Sequence, residues 1–376
     1  MTACWRRAAR QNLTDCEDYT LMKKIQLCVL FGGRSSEYEV SLKSAYSVLT
    51  HADPDKYEIL PVGITKEGAW YYYTGSYESV RDGSWCADTS ALDRVALDLA
   101  SGRREFCRFA QDGGVHTLPV DVVFPVLHGS YGEDGTVQGM LSLAGIPFVG
   151  CGSASGAVCM DKVFTKQIVR TTGIRQAECV ILYRDTWDDE TAQTLADRAE
   201  EQLGYPMFVK PARAGSSVGV SKARNREELL AAAAIAFRED SKVLVEEAID
   251  GREIEVAVLN EGTAYTVSDC AEIVTGADFY DYEAKYQSSA SGYHIPARLP
   301  EDVRQQVRCC AETIFRVLDC RGLSRVDFFV NDRGDIVFNE INTLPGFTDI
   351  SMYPKLMMHT GLTYSELIDR LVASAM

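Results

Sequence analysis

Two apolar runs closed by glycine constrain this chain more than any other feature. Residues 25–31 end in Gly32-Gly33, and residues 120–127 end in His128-Gly129. A short continuous apolar run bounded by a turn signal reads as a strand buried on both faces. Residues 57–64 form a third such run, and residues 39–49 between them carry helical spacing. Strand, glycine loop and helix in alternation predict an α/β unit with a parallel sheet, its ligands at the carboxyl ends of the strands. At 376 residues the chain exceeds what one core supports, so two or three domains are expected.

The formal charge is −16, which repels nucleic acid and anionic lipid over most of the surface while leaving room for a local basic pocket. No apolar run approaches the ~18 residues that cross a bilayer. The 12 cysteines are scattered without a C-x-x-C pair. That usage suits reduced thiols and a cytoplasmic location, with Cys309-Cys310 read as ordinary buried thiols on a helix. Residues 1–21 lack periodicity and an apolar signal core, so they are read as a disordered tail or a misassigned start and set aside.

The first unit is placed at residues 22–149, with residues 65–119 too irregular to assign. A second, at residues 150–241, is expected to hold helices over 161–171 and 226–237, a strand at 207–210 and a small-residue loop at 213–219. From residue 242 to 376 strands dominate, at 243–248, 253–259, 326–330 and 335–341, with a helix over 305–317. No internal repeat or coiled-coil heptad is present.

Alternation along a strand puts Arg325 beside Asp327, and Glu340 beside Asn342. Pairing those strands gathers oxygen ligands and a guanidinium at one spot, which describes either a Mg²⁺ site of the nucleotide type or a solvated antiparallel pair. Lys210 precedes the loop Arg213–Gly219, where glycines let backbone N–H groups approach phosphate. The G-K-[ST] order of a Walker A loop is absent, and a plain turn is the alternative. Lys162 offers a second phosphate contact or a solvated lysine. Glu246, Glu247 and Glu253 flank Asp250-Gly251 as candidate adenine and ribose partners or as a solvated rim. His128 opens a loop with three glycines in eight residues, at a ligand crevice or in a structural role.

Together these pieces resemble the D-alanine–D-alanine ligases, from about Lys23 to the C-terminus. The resemblance is carried by Gly32-Gly33 through Ser41, by His128 through Gly135 with Gln138-Gly139-Met140, and by Cys159 through Lys162. It continues in Lys210 through Gly219, Phe279 through Tyr286, Arg325-Val-Asp327, and Asn339 through Thr348. It implies a three-domain ATP-grasp fold: an N-terminal parallel α/β domain followed by two α+β subdomains, with ATP between the latter.

The resemblance also implies roles. Asp327, Glu340 and Asn342 would ligate two Mg²⁺ ions (Mn²⁺ as substitute), with Glu340 bridging. Lys162, Lys210, Ser217 and Lys285 would contact phosphate. Glu246, Glu247, Ile249 and Glu253 would hold adenine and ribose. Arg325 and the N–H of Gly346 would stabilise an oxyanion. Glu37 would take the ammonium of the first D-alanine, with His128 near its carboxylate. Ser216 and Tyr286 would join Glu37 in a network closing a lid at 277–293 that also carries Tyr282. A homodimer in peptidoglycan precursor synthesis is implied too.

The resemblance places Ser351 and Met352 at the second-substrate pocket. An apolar Met suits a methyl group and gives no strong hydrogen bond to a serine hydroxyl, so D-alanine is expected there. Val149-Gly150-Cys151 and Phe347-Thr348-Asp349 look like the vancomycin-resistance branch, which makes D-alanine–D-serine ligation the alternative. Two readings from other classes are a biotin-dependent carboxylase subunit, which needs no Glu37 loop, and a non-catalytic nucleotide sensor, which would usually have lost a metal ligand.

Overall fold

The computed structural model describes residues 23–274 and 292–376. The first sheet runs through β1 (Ile25–Gly32), β2 (Tyr57–Ile64), β3 (Trp70–Tyr73), β4 (Leu92–Leu97), β5 (Glu105–Phe109), β6 (Val115–Pro119) and β7 (Val122–Val126), in the order β6-β5-β4-β3-β2-β1-β7. β1 pairs in parallel with β2 and β7, as the apolar runs predicted. The other pairings are antiparallel. The parallel core expected from the three runs is present, and the strands of residues 65–119 extend it into a mixed sheet. Its meander comes from residues 65–119, where exposed edge positions such as Val115 and Phe109 dilute the apolar signal.

Helix α1 (Tyr38–His51) lies on one face of this sheet, and α2 (Tyr77–Asp82) packs against it. Helix α3 (Thr136–Leu143) covers the other face, where Val137 and Leu141 join Leu30, Val123 and Phe106 in a common core.

A four-stranded antiparallel sheet follows. Helices α4 (Ser153–Met160) and α5 (Lys162–Val169) lead to β8 (Cys179–Tyr183), α6 (Asp189–Leu203), β9 (Met207–Pro211), β10 (Ser221–Ala223), α7 (Arg226–Glu239) and β11 (Lys242–Glu247), with strand order β10-β9-β11-β8. Asp188 and Thr191 form a reciprocal capping box at the start of α6, satisfying N–H groups the helix cannot. β11 corrects the expected boundary at residue 242, because it hydrogen-bonds to β8 and β9 and belongs to this second sheet.

The third sheet holds β12 (Arg252–Glu261), β13 (Ala264–Val267), β14 (Ala271–Val274), β15 (Gly292–His294), β16 (Gly322–Val330) and β17 (Ile336–Asn342), all antiparallel. Helix α8 (Glu301–Val317) buries Val307, Ala311, Ile314 and Phe315 against one face. Cys309 on α8 is exposed and Cys310 half-buried, so only the second approaches the buried thiol expected. The ten described cysteines are all free.

The other face of the third sheet carries Ala257, Leu259 and Leu323. These share a core with α1, with β1 and β7, and with the terminal helices α9 (Met352–His359) and α10 (Tyr364–Ala375). Among the described residues no helix is long and apolar enough to cross a membrane.

Candidate active site

β16 and β17 bring Arg325 opposite Asn342 and Asp327 opposite Glu340, with a register shift after Asp327. The four side chains that alternation predicted to meet do meet. β12 adds Glu255 opposite Asp327, so Glu255, Asp327 and Glu340 make one row across three strands. Arg325 grips Asp327 through Nε at 2.8 Å and its terminal nitrogen at 2.7 Å, and Nε also lies 3.2 Å from Glu255. Asn342 donates its amide N–H to Asp327 at 3.1 Å. Burial works against the guanidinium charge, but Asp327 and Glu255 outweigh it and keep Arg325 protonated.

Asp327, Glu340 and Asn342 are hard oxygen donors of the kind Mg²⁺ takes. Among the described residues no three His, Cys, Asp or Glu side chains are grouped to hold an ion alone. Mg²⁺ is usually held by one or two carboxylates plus substrate phosphates.

Next to this row lie the lysines. Asp161 caps α5 by accepting from the N–H groups of Val163 and Phe164, which fixes Lys162 on the first turn. The Lys162 ammonium donates to the Ala214 carbonyl at 2.9 Å and lies 3.7 Å from Glu340. Lys210, on β9, is paired to Glu246 at 2.7 Å, and Lys166 reaches the other oxygen of Glu246 at 2.7 Å. Burial alone would raise the Glu246 carboxyl, but Lys210 and Lys166 hold it down to about 2. Glu246 thus positions two ammonium groups, a role the sequence did not suggest beside its expected adenine contact. Glu247 accepts from the Glu178 N–H at 3.0 Å.

The loop after β9 turns through Ser216 and Ser217, both at positive φ (48° and 58°), a conformation non-glycine residues seldom adopt. There the Ser216 hydroxyl donates to Glu37, which precedes α1. Glu37 is threaded between two backbones. A Cβ at Gly129 would stand 2.5 Å from its Oε2, and one at Gly215 2.7 Å. Those glycines are required by close approach.

His128 is buried, its Nδ1 3.0 Å from the Leu344 carbonyl and its Nε2 3.1 Å from the Ser44 hydroxyl. The carbonyl can only accept, so Nδ1 carries the proton, and burial keeps the imidazole neutral despite Glu37. Glu133 accepts from the Gly129 N–H at 2.8 Å. Burial and the Glu37 charge push it up to about 8, so it is protonated at neutral pH. Glu133, Glu255 and Lys166 are among the polar residues sequence reasoning missed. Glu255 was visible as the alternate partner of Glu253 on the same strand.

The segment after β17 closes the cavity. The Thr348 N–H donates to the Ser351 hydroxyl at 3.1 Å, and the two hydroxyls lie 2.8 Å apart. Ser351 immediately precedes α9, so the positive end of that helix faces the cavity beside Met352. Two neighbouring spaces result. One, of about 140 Å³, is lined by Glu37, His128, Arg325, Asn342, Gly346 and Met352. The other, of about 720 Å³, lies between the second and third sheets against Lys210, Ser217, Glu247, Ile249 and Glu253. Lys162, Ser216 and Glu340 line both. The predicted Tyr282, Lys285 and Tyr286, with most of the predicted lid at 277–293, lie outside the described residues, as does the expected tail at 1–21.

Comparison with known proteins agrees with this geometry. Profiles described as the D-ala D-ala ligase N-terminus and C-terminus match residues 26–151 and 168–373. The D-alanine–D-alanine ligase of Caldicellulosiruptor bescii is 46% identical over 94% of this chain and 96% of its own. D-alanine–D-alanine ligase B of Clostridium tetani is 43% identical over 98% of both. Among solved structures, the VanG D-Ala:D-Ser ligase from Enterococcus faecalis superposes with a TM-score of 0.85 at 40% identity, covering 94% of this chain and 100% of that one. The D-alanine–D-alanine ligase from Coxiella burnetii gives 0.81 at 33% identity, covering 94% of each chain.

Proposed function

We propose how this cleft works from one premise: the chain belongs to the D-alanine–D-alanine ligase family and joins two D-alanines at the expense of ATP. ATP occupies the larger space, its adenine toward Ile249 and Glu246, its ribose toward Glu253, and its phosphates toward Lys162, Lys210 and Ser217. Two Mg²⁺ ions at Asp327, Glu340 and Asn342 would offset the negative charge that builds when a carboxylate meets a polyphosphate.

Glu37 holds the ammonium of the first D-alanine and Ser216 holds Glu37, leaving the substrate carboxylate beside His128 and aimed at the γ-phosphate. The first D-alanine attacks that phosphorus and ADP leaves, giving an acyl phosphate. The second D-alanine sits with its carboxylate at Ser351 and the start of α9, where a helix N-terminus favours an anion. Its methyl group faces Met352. As the free base, its amine attacks the acyl carbon, and its surplus proton leaves on the departing phosphate. The resulting oxyanion is met by the Arg325 guanidinium and the Gly346 N–H, and phosphate leaves with the dipeptide complete. One such donor typically lowers the barrier by ~3–4 kcal/mol.

The observation that carries this reading is the wall shared by the two spaces. Lys162, Ser216 and Glu340 face both, so a phosphate in one stands against a carboxylate in the other. The product would feed peptidoglycan precursor synthesis, from a cytoplasmic homodimer.

D-alanine labelled with ¹⁸O in its carboxylate tests the route. Attack on phosphorus leaves one labelled oxygen in the released phosphate, while unlabelled phosphate would rule out the acyl phosphate.

A further inference from the structure

Glu255 borders this site without a part in the steps above. It is 2% exposed on β12 and faces Asp327 across the register, with Oε2 3.2 Å from the Nε of Arg325. Arg325 at the same time makes the two-pronged pair with Asp327 at 2.8 and 2.7 Å. One guanidinium therefore stands between two buried carboxylates, of which one, Asp327, is read as a metal ligand.

A carboxylate whose two oxygens both accept from a guanidinium is already engaged. A cation arriving at Asp327 must loosen that pair. Arg325 must nonetheless stay in the cavity to meet the oxyanion, and a buried guanidinium that loses its carboxylate outright would be strongly destabilised.

We propose that Glu255 is a positioning residue that keeps Arg325 when metal takes Asp327, so that one exchange of partners both frees the metal ligand and aims the guanidinium. The inference rests on the reading of Asp327 as a metal ligand. Three observations support it. The row Glu255–Asp327–Glu340 puts the donor and the receiver of Arg325 on adjacent strands. Glu255 lines the same cavity as Arg325, Glu340 and Asn342. The contact to Glu255 uses Nε, which leaves the terminal nitrogens of Arg325 to turn toward substrate once Asp327 lets go.

The test is a double-mutant cycle on metal binding without turnover. Mn²⁺ is titrated into the full chain with saturating ADP and no D-alanine, and free Mn²⁺ is followed by electron paramagnetic resonance. Glu255→Gln is expected to weaken Mn²⁺ binding on the order of tenfold, because Arg325 is left to Asp327 alone. Arg325→Gln is expected to bind Mn²⁺ at least as tightly as wild type. In the double variant, loss of Glu255 is expected to have no further effect.

Glu255→Asp, which keeps the charge but shortens the reach, should weaken binding when Arg325 is present and not when it is absent. It also serves should Glu255→Gln fail to fold. An equal loss from Glu255→Gln in both backgrounds would mean that Glu255 acts by charge alone or as a ligand, and would overturn the proposal. No loss in either background would overturn it as well. Failure of the wild-type protein to bind Mn²⁺ with ADP would instead sink the metal reading of Asp327 on which it stands.

Discussion

Glu246 illustrates how one buried side chain serves both stability and the site. Its carboxyl is held at about 2 against an ordinary 4.5, so the stabilisation is fully present above pH 4.5 and is lost as pH falls toward 2. The shift corresponds to roughly 3 kcal/mol. Glu246→Gln leaves Lys166 and Lys210 buried without their partner and is expected to cost about 3–5 kcal/mol at neutral pH. Urea unfolding across pH should show the gap between variant and wild type closing between pH 4.5 and 2. A gap independent of pH would show that the ion pairs do not set it. Glu133 runs the other way. Raised to about 8 from 4.5, it is neutral at pH 7, and its burial becomes costly as pH rises through that interval. Glu133→Gln mimics the neutral acid, so kcat/KM should stay within about threefold at pH 7. Its stability relative to wild type should rise as pH climbs from 4.5 to 8. A large loss of activity at pH 7 would mean that the proton or the charge of Glu133 is used.

At the scale of elements, the glycine loops and the cap of α5 set the geometry. Gly215→Ala would put a methyl group 2.7 Å from Glu37 Oε2, a contact that must be relieved by moving Glu37. We expect kcat/KM for D-alanine to fall by roughly tenfold or more with nucleotide affinity nearly unchanged, since small misplacements at a site are costly to rate and Glu37 does not line the nucleotide space. Equal loss of both would place the defect in the loop as a whole. Asp161→Ala removes the cap of α5 and strands Lys242, whose ammonium lies 2.5 Å from Asp161. The expected cost is ~3–5 kcal/mol, read from chemical denaturation. These elements were partly legible in the sequence. Residues 39–49 grew by a turn or less to Tyr38–His51, and the runs at 253–259 and 335–341 marked β12, which is almost wholly buried, and β17, which buries Val337, Phe338 and Ile341. The meander β3–β6 was not legible, because half-exposed short strands lose the period that betrays them. α6 was missed because its sequence, DETAQTLADRAEEQL, is polar on most of its surface.

For the whole molecule, the site is assembled by packing between sheets that no local pattern announces. The third sheet and the first share a core through Ala257, Leu259, Leu323 and α10, which brings the loop after β7 against the strand row of β16 and β17. Alternation in the sequence anticipated that Arg325, Asp327, Glu340 and Asn342 share one face of paired strands, as the register has them, while the roles proposed for them and for Glu37 come from the resemblance. It did not show that Glu246 bridges two lysines or that Arg325 is divided between two carboxylates, since those contacts join β9, β11 and α5, or β12 and β16, across the fold. Taken together, these contacts describe a cleft proposed to make D-alanyl-D-alanine. The most direct test is to incubate the full chain with ATP, Mg²⁺, D-alanine and an equal concentration of D-serine, and to identify the dipeptides by mass. D-alanyl-D-alanine as the main product, with phosphate released in step, is the predicted result. A product dominated by D-alanyl-D-serine, or nucleotide binding without any dipeptide, would contradict it.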